Sequence, residues 1–172
     1  HLVRIEEFIK RFLDGEPFVR WAHWIAQAKR NVSCIGADCP ICESVKASRQ
    51  AGIKPSYTSN RKFAMHVLNL NTGNVEILEQ GKMFFTQLHA LHDEMGDIRE
   101  YNVKVRTQNA GSTDVVHTLM PMPKSELTDE QKELCKDLKP FEEVFKKPTK
   151  EQVIQLMSGK SPEEVFANKD AE

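Results

Sequence analysis

Hydrophobic positions in this chain fall into short extended runs separated by turn residues, with one longer run at helical spacing. Pro17-Phe18-Val19-Arg20-Trp21-Ala22-His23-Trp24-Ile25 is dense in aromatic and branched residues and predicts a strand. Phe63 to Leu70 predicts a second, and Asn71-Thr72-Gly73-Asn74 turns it into Val75-Glu76-Ile77-Leu78, giving a hairpin. Between Lys82 and Met95, Phe84, Leu88, Leu91 and Met95 recur at offsets of four, three and four, one apolar face of a helix that Gly96 stops. Tyr101–Arg106 and Asp114–Leu119 alternate as strands around Asn109-Ala110-Gly111-Ser112, a second hairpin.

About five strands with one helix between the third and fourth predict a mainly β (α+β) fold, compatible with a five-stranded Greek-key barrel of the OB type over residues 1–124. Beyond Pro123 the pattern turns helical. Ser125-Glu126-Leu127-Thr128 leads into a helix ending near Leu138, Thr149 caps another through Met157, and Ser161-Pro162-Glu163-Glu164 opens a short last one. Residues 125–172 therefore read as a helical, mildly acidic C-terminal segment.

Composition narrows the class. No apolar run approaches the roughly 20 residues that cross a bilayer, so no membrane association is expected. Leu2-Val3-Arg4-Ile5-Glu6-Glu7 has neither the basic start nor the apolar stretch of a secretory signal, and the chain opens on His1, as expected of one trimmed at its front. Four cysteines are too few for a disulfide-stapled secreted scaffold, which predicts an intracellular setting. The net charge of −1 hides an asymmetry: residues 1–124 carry 16 Lys and Arg against 13 Asp and Glu, and residues 125–172 carry 8 against 12. From Lys29 to Lys62, seven cations face only Asp38 and Glu43.

The chemistry concentrates in His23, Cys34, Cys39 and Cys42, spaced His-x10-Cys-x4-Cys-x2-Cys. Zinc favours thiolate and imidazole donors in a tetrahedron, and the Cys39-Pro40-Ile41-Cys42 knuckle can place two sulfurs on one ion. A closed Cys3His site leaves no position for a catalytic water, so the expected role of one Zn2+ is to fold a polar loop that has no core of its own. A redox pair at Cys39 and Cys42, or simply buried thiols, is the alternative that a bare C-x-x-C leaves open.

Enzymatic readings of these residues fit poorly. A zinc deaminase needs a Glu two residues after its ligand His, where this chain has Ile25. A thioredoxin-like enzyme would use Cys39 at the start of a helix over Glu43–Gln50, but no βαβ unit precedes the pair. His89 and His92 are expected on the surface or core edge of their helix, and Cys135 as an ordinary helix cysteine. The chain is therefore expected not to be an enzyme.

The Trp21-Ala22-His23-Trp24 strand after Phe12-Leu13-Asp14-Gly15-Glu16, the Asp38–Glu43 knuckle and the Arg61–Leu68 strand together resemble the zinc-containing single-stranded DNA-binding proteins of tailed phages, the T-even helix-destabilising type. The resemblance runs from about Phe12 to Pro123. It implies an OB barrel with a zinc subdomain inserted after an early strand, here at about residues 26–56. It further implies single-stranded DNA in a cleft between the two, an acidic end that recruits replication or recombination proteins, and a host-cytoplasm location.

Sequence-blind strand binding requires cations that follow phosphates and rings on which bases stack. Arg20, Trp21, Tyr57, Arg61, Lys62 and Phe63 interleave the two around the proposed zinc loop, and Lys104 and Arg106 share one face of a later strand with Asn102, leaving Val103 and Val105 for the core. Phe18, Trp24 and Phe85 are expected to fill the core. The expected function is binding of single-stranded DNA with little sequence preference in phage replication or recombination. The alternative is a zinc-stabilised adaptor that binds a protein through its helical end.

Overall fold

The computed structural model describes residues 4–167. In chain order its elements are β1 (Ile5–Phe12), β2 (Phe18–Ile25), β3 (Arg30–Ser33), α1 (Pro40–Gln50), β4 (Asn60–Asn69), β5 (Asn74–Gln80), α2 (Lys82–Met95), a 3-10 turn (Ile98–Glu100), β6 (Tyr101–Gln108) and β7 (Val116–Lys124). Four helices follow: α3 (Asp129–Leu134), α4 (Phe141–Val144), α5 (Lys150–Met157) and α6 (Pro162–Phe166). The fold is α+β, its strands mostly antiparallel.

The chain forms two compact units. The first combines His1–Phe18 with Phe63–Pro140, and the second combines Val19–Lys62 with Phe141–Glu172. Residues 125–172, read from sequence as one segment, are thus divided: α3 belongs to the first unit, and α4, α5 and α6 to the second.

Strands of the first unit pair antiparallel in the order β5-β4-β1-β6-β7, an open sheet with β5 and β7 at its ends. Register sets Phe8 opposite Val105, Arg11 opposite Leu68, and Val105 opposite Leu119. Because side chains alternate across a strand, this register gathers Phe12, Met65, Val67, Val103, Val105 and Leu119 on one face. Helix α2 covers that face with Phe84, Phe85 and Leu88, and Tyr101 completes the core. Burying a residue such as Leu88 contributes roughly 1.5–3 kcal/mol.

Several sequence expectations hold here. Val103 and Val105 are buried while Asn102, Lys104 and Arg106 alternate outwards, and Phe85 is in the core. The helix ends at Met95 because Gly96 adopts φ +92°, a left-handed conformation that side-chain-bearing residues rarely take. Other details differ. Met95 is half exposed, so the helix buries only Phe84, Phe85 and Leu88. Strand β1 was not predicted: Glu6, Glu7, Lys10 and Arg11 dilute its apolar alternation, and its charged Arg11 is buried. The helix expected to run to Leu138 stops at Leu134, and α4 is an additional turn.

Candidate metal centre

In the second unit, β2 and β3 pair as a hairpin with Ala22 opposite Ser33 and His23 opposite Val32. The Cys34 amide donates to the Trp21 carbonyl at 2.9 Å, so the residue after β3 is held beside β2. The loop then returns to α1, whose N-cap is Cys39 and whose first turn carries Pro40 and Cys42. Proline suits that position because its missing N–H would have no helical partner. Strand, loop and helix start thereby deliver one imidazole and three sulfurs to one point.

The ligand atoms of His23, Cys34, Cys39 and Cys42 all lie within 4.8 Å of one another. His23 Nε2 is 3.6 Å from Cys39 Sγ and 3.5 Å from Cys42 Sγ, and Cys34 Sγ is 3.6 Å from Cys42 Sγ. A tetrahedral ion with metal–sulfur bonds of about 2.3 Å and metal–nitrogen bonds of about 2.0–2.1 Å would set sulfurs about 3.8 Å apart and sulfur from nitrogen about 3.6 Å. The donors fit a single such ion.

Surrounding groups orient them. His23 is fully buried, and its Nδ1 lies 2.8 Å from the Thr58 carbonyl. A carbonyl only accepts, so Nδ1 carries the proton and Nε2 turns a lone pair towards the sulfurs, as in metal sites generally. The Gly36 amide donates to Cys34 Sγ at 3.4 Å. Burial would raise the Cys39 thiol, but the backbone amides of Cys42, Ile35 and Ile41 outweigh it and lower its pKa. Cys42 is pushed up to about 12 by burial and by its neighbours Cys34 and Cys39. Cys39 and Cys42, shifted in opposite directions, resist joint deprotonation, and a bound divalent ion reverses that preference.

A core backs the site, which corrects the expectation of a coreless loop. Ile25, Val32, Cys39, Ile41 and Val45 pack with Val153 and Leu156 of α5 and Val165 of α6. Helix α5 starts from a capping box in which Thr149 and Gln152 satisfy each other's backbone amides.

The proposed strand-binding residues have varied surroundings. Trp21 is 54% exposed and Trp24 43%, although Trp24 was expected in the core. Arg20 lies 4.3 Å over the Phe145 ring and donates to Ser33 Oγ at 2.7 Å, so it is packed within the second unit. Tyr57 is partly buried against the core around the metal cluster, Arg61 is exposed and Lys62 half-buried. Phe63 stacks on Phe85 at 5.5 Å in the first unit. Lys104 is half-buried on the outer face of β6, where Arg106 Nε stands 3.4 Å from Glu7. His89 pairs with Asp93 at 3.3 Å on the helix surface, and His92 accepts from the Ile98 amide at 3.4 Å. Sequence reasoning missed Thr58, which no motif marks, while Arg30 of the basic stretch lies 5.9 Å over Phe166.

No helix among the described residues is long and apolar enough to cross a membrane. No protein-family model, curated protein or solved structure matches the chain.

Proposed function

We propose that this chain is a non-enzymatic single-stranded DNA-binding protein whose second unit is held by one structural zinc ion. The observation that carries the reading is the pair of exposed indoles on β2: Trp21 and Trp24 flank the fully buried His23. Large rings are usually covered, and a strand pinned by a metal ligand is a rigid support on which bases can stack. The stretch from Lys29 to Lys62 supplies cations for the phosphates.

Two further features support it. Four protein donors would complete a zinc tetrahedron, which favours a structural ion over a catalytic one. The order β5-β4-β1-β6-β7, with α2 between β5 and β6, matches the strand neighbours of an OB barrel short of its closing pair, a fold widely used for single strands.

The test is a titration of oligo-dT and of duplex DNA at rising salt, followed by tryptophan fluorescence. The reading expects quenching by oligo-dT at lower concentration than by duplex, with affinity falling as salt rises. Equal affinity for both, or indifference to salt, would remove it.

A further inference from the structure

The first unit contains a buried guanidinium whose hydrogen-bond acceptors among the described residues are all uncharged. Arg11 on β1 is 3% exposed. It donates from Nε to Asn102 Oδ1 at 2.8 Å, from Nη1 to the Arg99 carbonyl at 3.1 Å, and from Nη2 to the Ser125 carbonyl and hydroxyl at 2.9 and 2.8 Å. Every one of these acceptors is neutral. They use four of the five N–H groups that a guanidinium carries, leaving one on Nη1 without an acceptor among the described residues. Buried cations are normally matched by an anion, because desolvation without one is costly. The group whose charge would offset Arg11 is the Cys135 thiol, and burial pushes that thiol towards its neutral form.

Arg11 lies in the wall of an open cavity of about 710 Å³, together with the cations Arg99, Lys124 and Lys132 and the carboxylates Glu100 and Glu126. Two of the outer cations already have partners: Lys124 reaches Glu100 at 3.1 Å, and Arg99 reaches Asp97 at 2.7 Å. Lys124–Glu100 is a simple surface pair, weak and easily exchanged for a stronger anion, whereas Arg99 holds Asp97 through a forked set of bonds. Arginine's planar fork suits the oxygens of a phosphate, and the wall as a whole is cationic, four charges against two.

We propose that this cavity is an oxyanion site that seats a phosphate group against Arg11, with Arg99, Lys124 and Lys132 closing around it. The bound group supplies the counter-charge that these neutral acceptors do not. A phosphodiester of a nucleic-acid strand and free phosphate present the same oxygens, so the site stands whether or not the chain binds strands.

The test uses the full chain at constant ionic strength. Inorganic phosphate is titrated against a chloride control while the Arg11 side-chain Nε–H and the Ser125 amide are followed by NMR. A saturable shift with phosphate and none with chloride is expected, weakened at least tenfold in a Lys124→Gln/Lys132→Gln variant. Oligo-dT without terminal phosphates is titrated next: movement of the same resonances assigns the strand backbone as the source, and movement with inorganic phosphate alone assigns a free anion. Absence of a saturable change at Arg11 with either probe overturns the site, as does a chloride response equal to that of phosphate. If the double variant is destabilised, the parent's phosphate-against-chloride comparison still decides.

Discussion

The protonated Nδ1 of His23 donates to the Thr58 carbonyl at 2.8 Å, which ties the loop before β4 to the cysteine cluster. The bond fixes both the tautomer and the tilt of the imidazole, so Nε2 faces Cys39 and Cys42. A donor set prepared in this way should bind zinc at one per chain, measured by elemental analysis of reduced protein. Structural zinc of this kind contributes roughly 10 kcal/mol or more to folding. A strong chelator, or Cys42→Ser, should therefore lower the thermal midpoint and reduce helical circular dichroism. A metal-free chain that melts unchanged would show that the four side chains are not a metal site.

Exposure separates binding rings from packing rings. Trp21→Ala removes a half-exposed side chain and should leave stability within about 0.5 kcal/mol. The same change should weaken oligo-dT binding by about 1–3 kcal/mol if a base stacks there. Phe85→Ala, in the core of the first unit, should do the reverse first, costing about 3–5 kcal/mol of folding stability. Fluorescence titrations and denaturant melts on both variants distinguish the roles, and an unaltered affinity for Trp21→Ala would end the stacking assignment.

What could be read from the sequence was whatever is encoded locally. The His23, Cys34, Cys39 and Cys42 spacing announced the cluster, the alternation of Tyr101–Arg106 announced which side chains face inwards, and Gly96 announced where α2 ends. Long-range packing was invisible. Strand β1 owes its place to pairing with β4 and β6, which its Glu- and Lys-rich pattern does not advertise. Val153, Leu156 and Val165 pack beside Cys39 and Ile41, more than a hundred residues earlier in the chain, so the C-terminal helices looked like a separate acidic segment. Trp24 was assigned to the core by residue type, yet lies exposed on β2.

Asp97 makes stability pH-dependent in a defined window. Its carboxylate accepts from the Arg99 side chain and amide, which holds its pKa at about 2 instead of the usual 3.8. A depressed carboxylate contributes stability that is complete above the unfolded value and disappears as pH falls towards the folded one. Stability should thus decline from about pH 4 to pH 2, modestly, because the pair is at the surface and screened. Asp97→Asn should flatten that part of the curve. Denaturant melts at intervals between pH 2 and pH 5 measure it, and identical slopes for the two proteins would contradict the assignment.

Leu156 on α5 is fully buried in the same cluster as Cys39, Ile41 and Val45, whereas Leu88 on α2 is equally buried in the core of the first unit. Each Leu→Ala change should cost about 2–5 kcal/mol of folding stability, since both leave a cavity among well-packed neighbours. Their effects on metal retention should differ. Binding of an ion that needs folded ligands is linked to the folding of the unit that presents them, so weakening that unit weakens the site. Leu156→Ala should therefore release zinc to a competing chromophoric chelator at lower chelator concentration than the parent. Leu88→Ala, whose cavity opens in the core of the first unit, should hold it as the parent does. Equal zinc loss from both variants would mean that the two cores do not stabilise their units separately, and retention by both would mean that α5 gives the cysteine cluster no support.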